Sequence, residues 1–124
     1  MDITLFTEGW FDAAHNLEGY DGACANLHGH TYKIELWVRG TEKQINKIGL
    51  LWDFKNLKNI LNKFDHKYLN EIFNKEENVN STAENQVLWI YRELKGWHPR
   101  LKFKVRLYEQ VQPKRSFAQV GDFE

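Results

Sequence analysis

His28-Gly29-His30-Thr31-Tyr32-Lys33-Ile34-Glu35-Leu36-Trp37-Val38-Arg39 alternates with a period of two: the even positions from Tyr32 onward are apolar and the odd ones mostly polar. That period is the mark of a half-buried β-strand, predicted over about residues 29–40. Residues two apart on a strand point to one face at a spacing of about 7 Å, so the imidazoles of His28 and His30 lie on the apolar side and can converge on one ion. Upstream, Ile3, Leu5, Phe11, Ala13 and His15 share odd parity. A first strand over about 2–15, paired with the second, would deliver a third imidazole to the same place. Three nitrogens with one position left open is the arrangement of catalytic zinc.

Outward from this ribbon the chain reads strand, loop, strand, helix, helix, strand, strand. The loop holds Gly19, Gly22 and Cys24. Leu57, Ile60, Leu61 and Phe64 have the i, i+3, i+4, i+7 spacing of an amphipathic helix, with Asp53 as its expected cap. Ser81-Thr82-Ala83-Glu84 reads as a capping box in which Ser81 and Glu84 satisfy the helix start, followed by a stripe of Val87, Ile90, Tyr91 and Leu94 that Gly96 and Pro99 end. Leu101 to Glu109 alternates most regularly, and a short strand near 116–120 closes the chain. The expected fold is α+β, a four-stranded antiparallel sheet with two helices on one face. The opposite face carries Lys33, Glu35, Trp37, Arg39, Lys102, Lys104 and Arg106, too charged for a core but suited to a wet channel in an oligomer.

The 124 residues are expected to form one domain, 1–124. Lysine plus arginine equals aspartate plus glutamate at 17 each, which removes a global electrostatic case for nucleic acid or anionic membrane partners. The apolar runs are too short to span a bilayer. One cysteine and no charged-then-apolar leader make a reducing, cytoplasmic setting the expectation. Five tryptophans are more than so small a core easily hides, so part of that surface is expected between subunits.

A lone histidine beside apolar residues is ordinarily structural, but the His-x-His pair with His15 upstream points to a metal site. Imidazoles also hold iron, copper or nickel; zinc is the expectation because nothing suggests redox work. Cys24 reads either as a fourth ligand, making the site structural, or as a base beside an open metal position. Asp65-His66, taken alone, reads as a solvated cap at the end of the first helix. Glu109 falls on the apolar side of its strand, where a bare carboxylate costs several kcal/mol. It is either wet at the strand's end or bonded to a ligand offering two parallel N–H donors, such as the edge of a pterin or guanine.

Phe11-Asp12-Ala13-Ala14-His15, Cys24-x-x-x-His28-Gly29-His30, Asp53-Phe54, Asp65-His66-Lys67-Tyr68-Leu69-Asn70, Ser81-Thr82-Ala83-Glu84-Asn85 and Glu109 occur together and in order. In this the chain resembles the 6-pyruvoyltetrahydropterin and 6-carboxytetrahydropterin synthase superfamily. The resemblance implies the tunnel fold, commonly a hexamer of two stacked trimers with active sites between subunits. It implies zinc on His15, His28 and His30, Cys24 as general base, Asp65 and His66 as relay partners or a second acid/base, Glu109 as pterin anchor, and Thr82 near the pterin pocket. Three residues, Ala25, Asn26 and Leu27, separate the cysteine from His-Gly-His, where pyruvoyl-forming members typically have five. That favours the 6-carboxytetrahydropterin-forming branch. No glutamate occurs between Glu18 and Glu35, against a third branch in which glutamate replaces the cysteine. The implied substrate is 7,8-dihydroneopterin triphosphate, and the implied products are 6-carboxy-5,6,7,8-tetrahydropterin, acetaldehyde and triphosphate.

Overall fold

A computed structural model describes all 124 residues. Two 14-residue strands, β1 (Asp2–His15) and β2 (His28–Thr41), pair antiparallel along their whole length from Asp2↔Thr41 to His15↔His28. β4 (Lys102–Gln110) adds to β2 and β5 (Ser116–Gly121) adds to β4, both antiparallel. The helices α1 (Asn56–Phe64) and α3 (Ala83–Trp97) lie on one face. Their stripes, Leu57, Ile60 and Phe64 and then Val87, Ile90 and Leu94, join Phe11, Tyr32, Ile34, Leu36, Phe103, Val105 and Leu107 in one core. Those strand residues have the parity that the alternation predicts, since a shift by one would turn each of them to the charged face.

The architecture is the expected α+β fold, with two additions. A two-residue strand, β3 (Lys67–Tyr68), pairs parallel with Ala13 and Ala14 of β1, giving a sheet ordered β3-β1-β2-β4-β5. A third helix, α2 (Asn70–Glu76), follows it. Two residues are too few to show alternation, and α2 fully buries only Asn70 and Phe73, too little for a readable stripe. Both caps also differ from expectation. Asp53 Oδ1 accepts from Lys55 N–H in the turn that precedes α1, which starts three residues later. At α3 it is Thr82, extended and with its hydroxyl accepting from Asn85 N–H, that caps the helix, while Ser81 is buried elsewhere. The helix runs past Gly96 to Trp97.

On the open sheet face Lys33 sits between Glu8 and Glu35 at 3.4 and 3.5 Å, Arg106 lies 3.6 Å from Glu35, and Lys104 stands over the Trp37 ring at 4.1 Å. Of the tryptophans only Trp52 is fully buried, and Trp10 is half-exposed on this face.

Asp122 ties the layers together. It accepts from the Tyr91 hydroxyl of α3, from Phe103 N–H of β4 at 3.0 Å, and from Lys95 at 3.3 Å. Burial would raise this carboxyl, but the Tyr91, Phe103 and Lys95 donors outweigh it and hold the group below the ordinary value of 3.8. The same contact pushes the Tyr91 phenol up to about 12. A depressed carboxyl stabilises the fold above its unfolded value and loses that contribution as pH falls below it. Asp122→Ala is therefore expected to lower stability by about 1–2 kcal/mol at pH 7. Urea titrations should show the difference shrinking toward pH 3.

Candidate metal centre

The β1–β2 register decides the site. It sets His15 directly opposite His28 and places His30 across from Ala13, whose methyl leaves room for the ring. The ring centroids are 4.6 Å (His15–His28), 5.3 Å (His15–His30) and 4.9 Å (His28–His30) apart. One ligand atom from each imidazole lies within 4.8 Å of those from the other two.

The outer hydrogen bonds fix which nitrogen points inward. His15 Nδ1 lies 2.8 Å from the Ser81 carbonyl, and His28 Nδ1 lies 2.7 Å from the Asn26 carbonyl. A carbonyl only accepts, so in both rings Nδ1 carries the proton and Nε2 keeps its lone pair. The Nε2 atoms of His15, His28 and His30 are all buried without a hydrogen-bond partner. Burial pulls His15 and His30 below the usual histidine value of 6.5, more than the nearby Glu109 charge raises them. Three buried Nε2 atoms facing one cavity with no hydrogen-bond partner are the donor set a cation would take, so these residues fit a divalent metal ion.

Glu109 Oε1 lies 3.5 Å from His30 Nε2 of the same chain. The β4–β5 register shifts between Tyr108 and Gln110, so Glu109 sits on an irregularity that leaves it partly exposed beside the histidines. β4 runs on to Gln110, so the strand does not end short of this side chain, which is neither bare in the core nor fully wet. Cys24 is half-buried on a 3-10 turn, Ala23–Ala25, held by its own carbonyl accepting from Leu17 N–H at 2.8 Å. Its sulfur is not among the atoms that converge on the centre. The geometry of one chain therefore gives no support to a cysteine-closed tetrahedron.

Asp65 and His66 form a separate group with Asp12. The segment is pinned to β1, with Asp12 N–H donating to Asp65 Oδ1 at 2.9 Å and His66 N–H to the Asp12 carbonyl at 2.6 Å. His66 adopts φ 59°, and its Nδ1 is 3.0 Å from Asp65 Oδ2. The Asp12 N–H bond, followed by the His66 contact, holds the Asp65 carboxyl below its usual range. Asp12 pairs with Thr31, whose hydroxyl donates to Asp12 Oδ1 at 2.5 Å, and both are of the parity opposite to the three histidines. An open groove of about 590 Å³ runs here between Asp12, Thr31, His66, Tyr68 and the edge of His30. Asp65 is the C-cap of α1 and His66 is exposed, so the pair is the solvated cap expected and is in addition anchored to β1; within one chain it does not join the histidine cluster. Thr82 lies one residue beyond the Ser81 carbonyl that holds His15, so its helix start adjoins the centre.

Sequence reasoning overlooked the polar residues behind His15. Ser81 Oγ donates to Asn70 Oδ1 at 2.9 Å, Asn70 Nδ2 donates to the Asn16 carbonyl at 2.9 Å, and Gln86 Nε2 donates to the Ser81 carbonyl at 2.9 Å. A glutamine beside Val87 and Ile90 on the buried stripe of α3 was the available signal.

Residues 4–119 match the family model described as 6-pyruvoyl tetrahydropterin synthase. A 6-carboxy-5,6,7,8-tetrahydropterin synthase of Haemophilus influenzae is 40% identical, the match covering 80% of this chain and 86% of that one. A putative 6-carboxy-5,6,7,8-tetrahydropterin synthase of Archaeoglobus fulgidus is 37% identical, covering 80% and 81%. The solved 6-pyruvoyl tetrahydropterin synthase of Caenorhabditis elegans superposes with a TM-score of 0.70 at 25% identity, over 97% of this chain and 96% of that one. No helix is long and apolar enough to cross a membrane.

Proposed function

The chain belongs to the 6-pyruvoyl tetrahydropterin synthase family, and from that premise we propose that it is a zinc-dependent lyase. In this reading it converts 7,8-dihydroneopterin triphosphate and one water to 6-carboxy-5,6,7,8-tetrahydropterin, acetaldehyde and triphosphate, a step toward queuosine and related deazapurines. The observation that carries the proposal is the trio of buried, partnerless Nε2 atoms on His15, His28 and His30, with sulfur outside the cluster. That arrangement holds a cation while leaving a position for substrate. Bound there, zinc supplies the Lewis acidity that makes side-chain hydroxyls of the substrate more acidic.

The chain's own residues then divide the work. Cys24 removes the proton from the carbon attached to the pterin. His66, held by Asp65 at 3.0 Å, returns protons as the side chain is cleaved. Glu109 accepts the paired N–H donors of the pterin, and its closeness to His30 sets the ring beside the centre. Thr82 borders the same pocket. Because the Asp65–His66 pair lies on the other face of the ribbon, it serves a centre held by a neighbouring copy.

The sheet supports such an assembly. Its edges are β5 and the stretch of β1 before Ala13, which β3 leaves uncovered. Two different open edges pair head-to-tail, and a rotation that closes makes a ring. We propose a hexamer of two stacked rings of three, which also buries exposed Trp10 and Phe117. Light scattering behind size exclusion should give about six times the 14.8 kDa of one chain, whereas an active monomer would contradict the shared site.

Incubating zinc-loaded protein with 7,8-dihydroneopterin triphosphate and identifying products by mass spectrometry tests the reaction. The expected result is 6-carboxytetrahydropterin with acetaldehyde. Triphosphate release without acetaldehyde would instead support the pyruvoyl-forming reaction that names the family. Metal retention with no turnover would favour a zinc-stabilised binding module.

A further inference from the structure

Gln86 is fully buried on the core face of α3, among Val87, Ile90 and Leu94. A carboxamide there is costly unless it is hydrogen-bonded, because its donors and acceptor are removed from water. Its Nε2 donates to the Ser81 carbonyl at 2.9 Å, the same oxygen that accepts from His15 Nδ1 at 2.8 Å. Ser81, also fully buried, is held from its other side by its hydroxyl's bond to Asn70 Oδ1 at 2.9 Å, and that hydroxyl lies 3.3 Å from His15 Nδ1. Gln86 Oε1 and the Tyr32 hydroxyl are likewise buried without a formed hydrogen bond, and the two side chains are neighbours. Tyr32 packs edge-on against both His15 and His30, with ring centroids at 6.0 and 5.4 Å.

We propose that Gln86 is a positioning residue of the metal centre. By fixing the plane of the Ser81 carbonyl, it locks the orientation and tautomer of His15, so that Nε2 is preset toward the ion. The carbonyl has two lone pairs and serves both donors at once. With Gln86 removed, His15 keeps its acceptor but loses the clamp that aims it. Groups behind a ligating histidine typically change metal affinity by about 10–100-fold. This clamp acts through one further peptide, so the low end, about 10-fold, is expected. The inference rests on the reading of the histidine trio as a metal site.

The test uses the full-length protein with Gln86→Leu and Gln86→Met, which keep the volume and remove the donor. Zinc affinity is measured by chelator competition, and the visible spectrum is recorded for the cobalt-substituted form. Thermal stability of the metal-free proteins is measured in parallel. The expected result is an approximately tenfold weaker zinc affinity in both variants, altered cobalt bands, and metal-free melting close to the parent's. Unchanged affinity and an unchanged cobalt spectrum in a folded variant would overturn the clamp while leaving the metal site standing. Failure of the parent itself to bind zinc or cobalt would overturn the metal reading first, a distinguishable outcome. If one variant fails to fold, the other decides the matter by the same two readouts.

Discussion

His28→Ala is expected to abolish metal binding at concentrations that saturate the parent and to bring pterin turnover to background. His28 is the ligand of choice for this test because its environment separates binding from folding. It is only partly buried, and its single outer bond goes to the nearby Asn26 carbonyl. His15, by contrast, is buried at the junction of β1 and the start of α3, where truncation leaves a cavity and removes one of the two donors to the Ser81 carbonyl. Losing one nitrogen of three leaves two imidazoles, too few for the coordination that the site is built to give. The same variant reports on stability. An ion that binds only the folded state contributes about 4 kcal/mol when present at a thousand times its dissociation constant. Calorimetry should therefore show a large metal-dependent rise in melting temperature for the parent and none for His28→Ala. An equal rise in both proteins would place the ion elsewhere.

Cys24→Ala is expected to keep metal stoichiometry and melting temperature and to lose turnover by on the order of 10² or more, the range for removing a general base. The thiol lies outside the converging nitrogens, and the turn that carries it is held by a backbone bond from Leu17 rather than by its sulfur. Its removal therefore touches neither the ligand set nor the core. Single-turnover kinetics with metal analysis before and after separate the outcomes. Parallel loss of metal and of activity would make the sulfur a ligand and the site structural; retention of full turnover would remove Cys24 from the chemistry.

The convergence of the three histidines could be read from residue order because they stand on the most regular part of the chain. Strand alternation fixes which side chains share a face, and with β1 and β2 paired over their full length, His15, His28 and His30 have little freedom to be elsewhere. The stripes of α1 and α3 were legible for the same reason, since burial repeats with the helical period. What escaped reading depends on contacts between distant segments. β3 exists because Asp12 and Ala14 offer backbone partners to residues 66–69, and nothing in Lys67-Tyr68 signals it. Ser81 and Thr82 are both good caps, and only the buried bond from Ser81 to Asn70 decides that Thr82 takes the helix start. Asp12 falls inside the first expected strand, where nothing in the sequence signals that its backbone holds both Asp65 and His66. Glu109 followed the alternation to the inner face, but the irregularity beside it sets how far the carboxylate is exposed.

X-ray absorption at the zinc edge of the purified, metal-loaded protein decides whether the three histidines hold the ion. A first shell of three imidazole nitrogens at about 2.0–2.1 Å with one further oxygen scatterer and no sulfur is expected. A sulfur scatterer at about 2.3 Å, or a shell lacking the imidazole pattern, would contradict it.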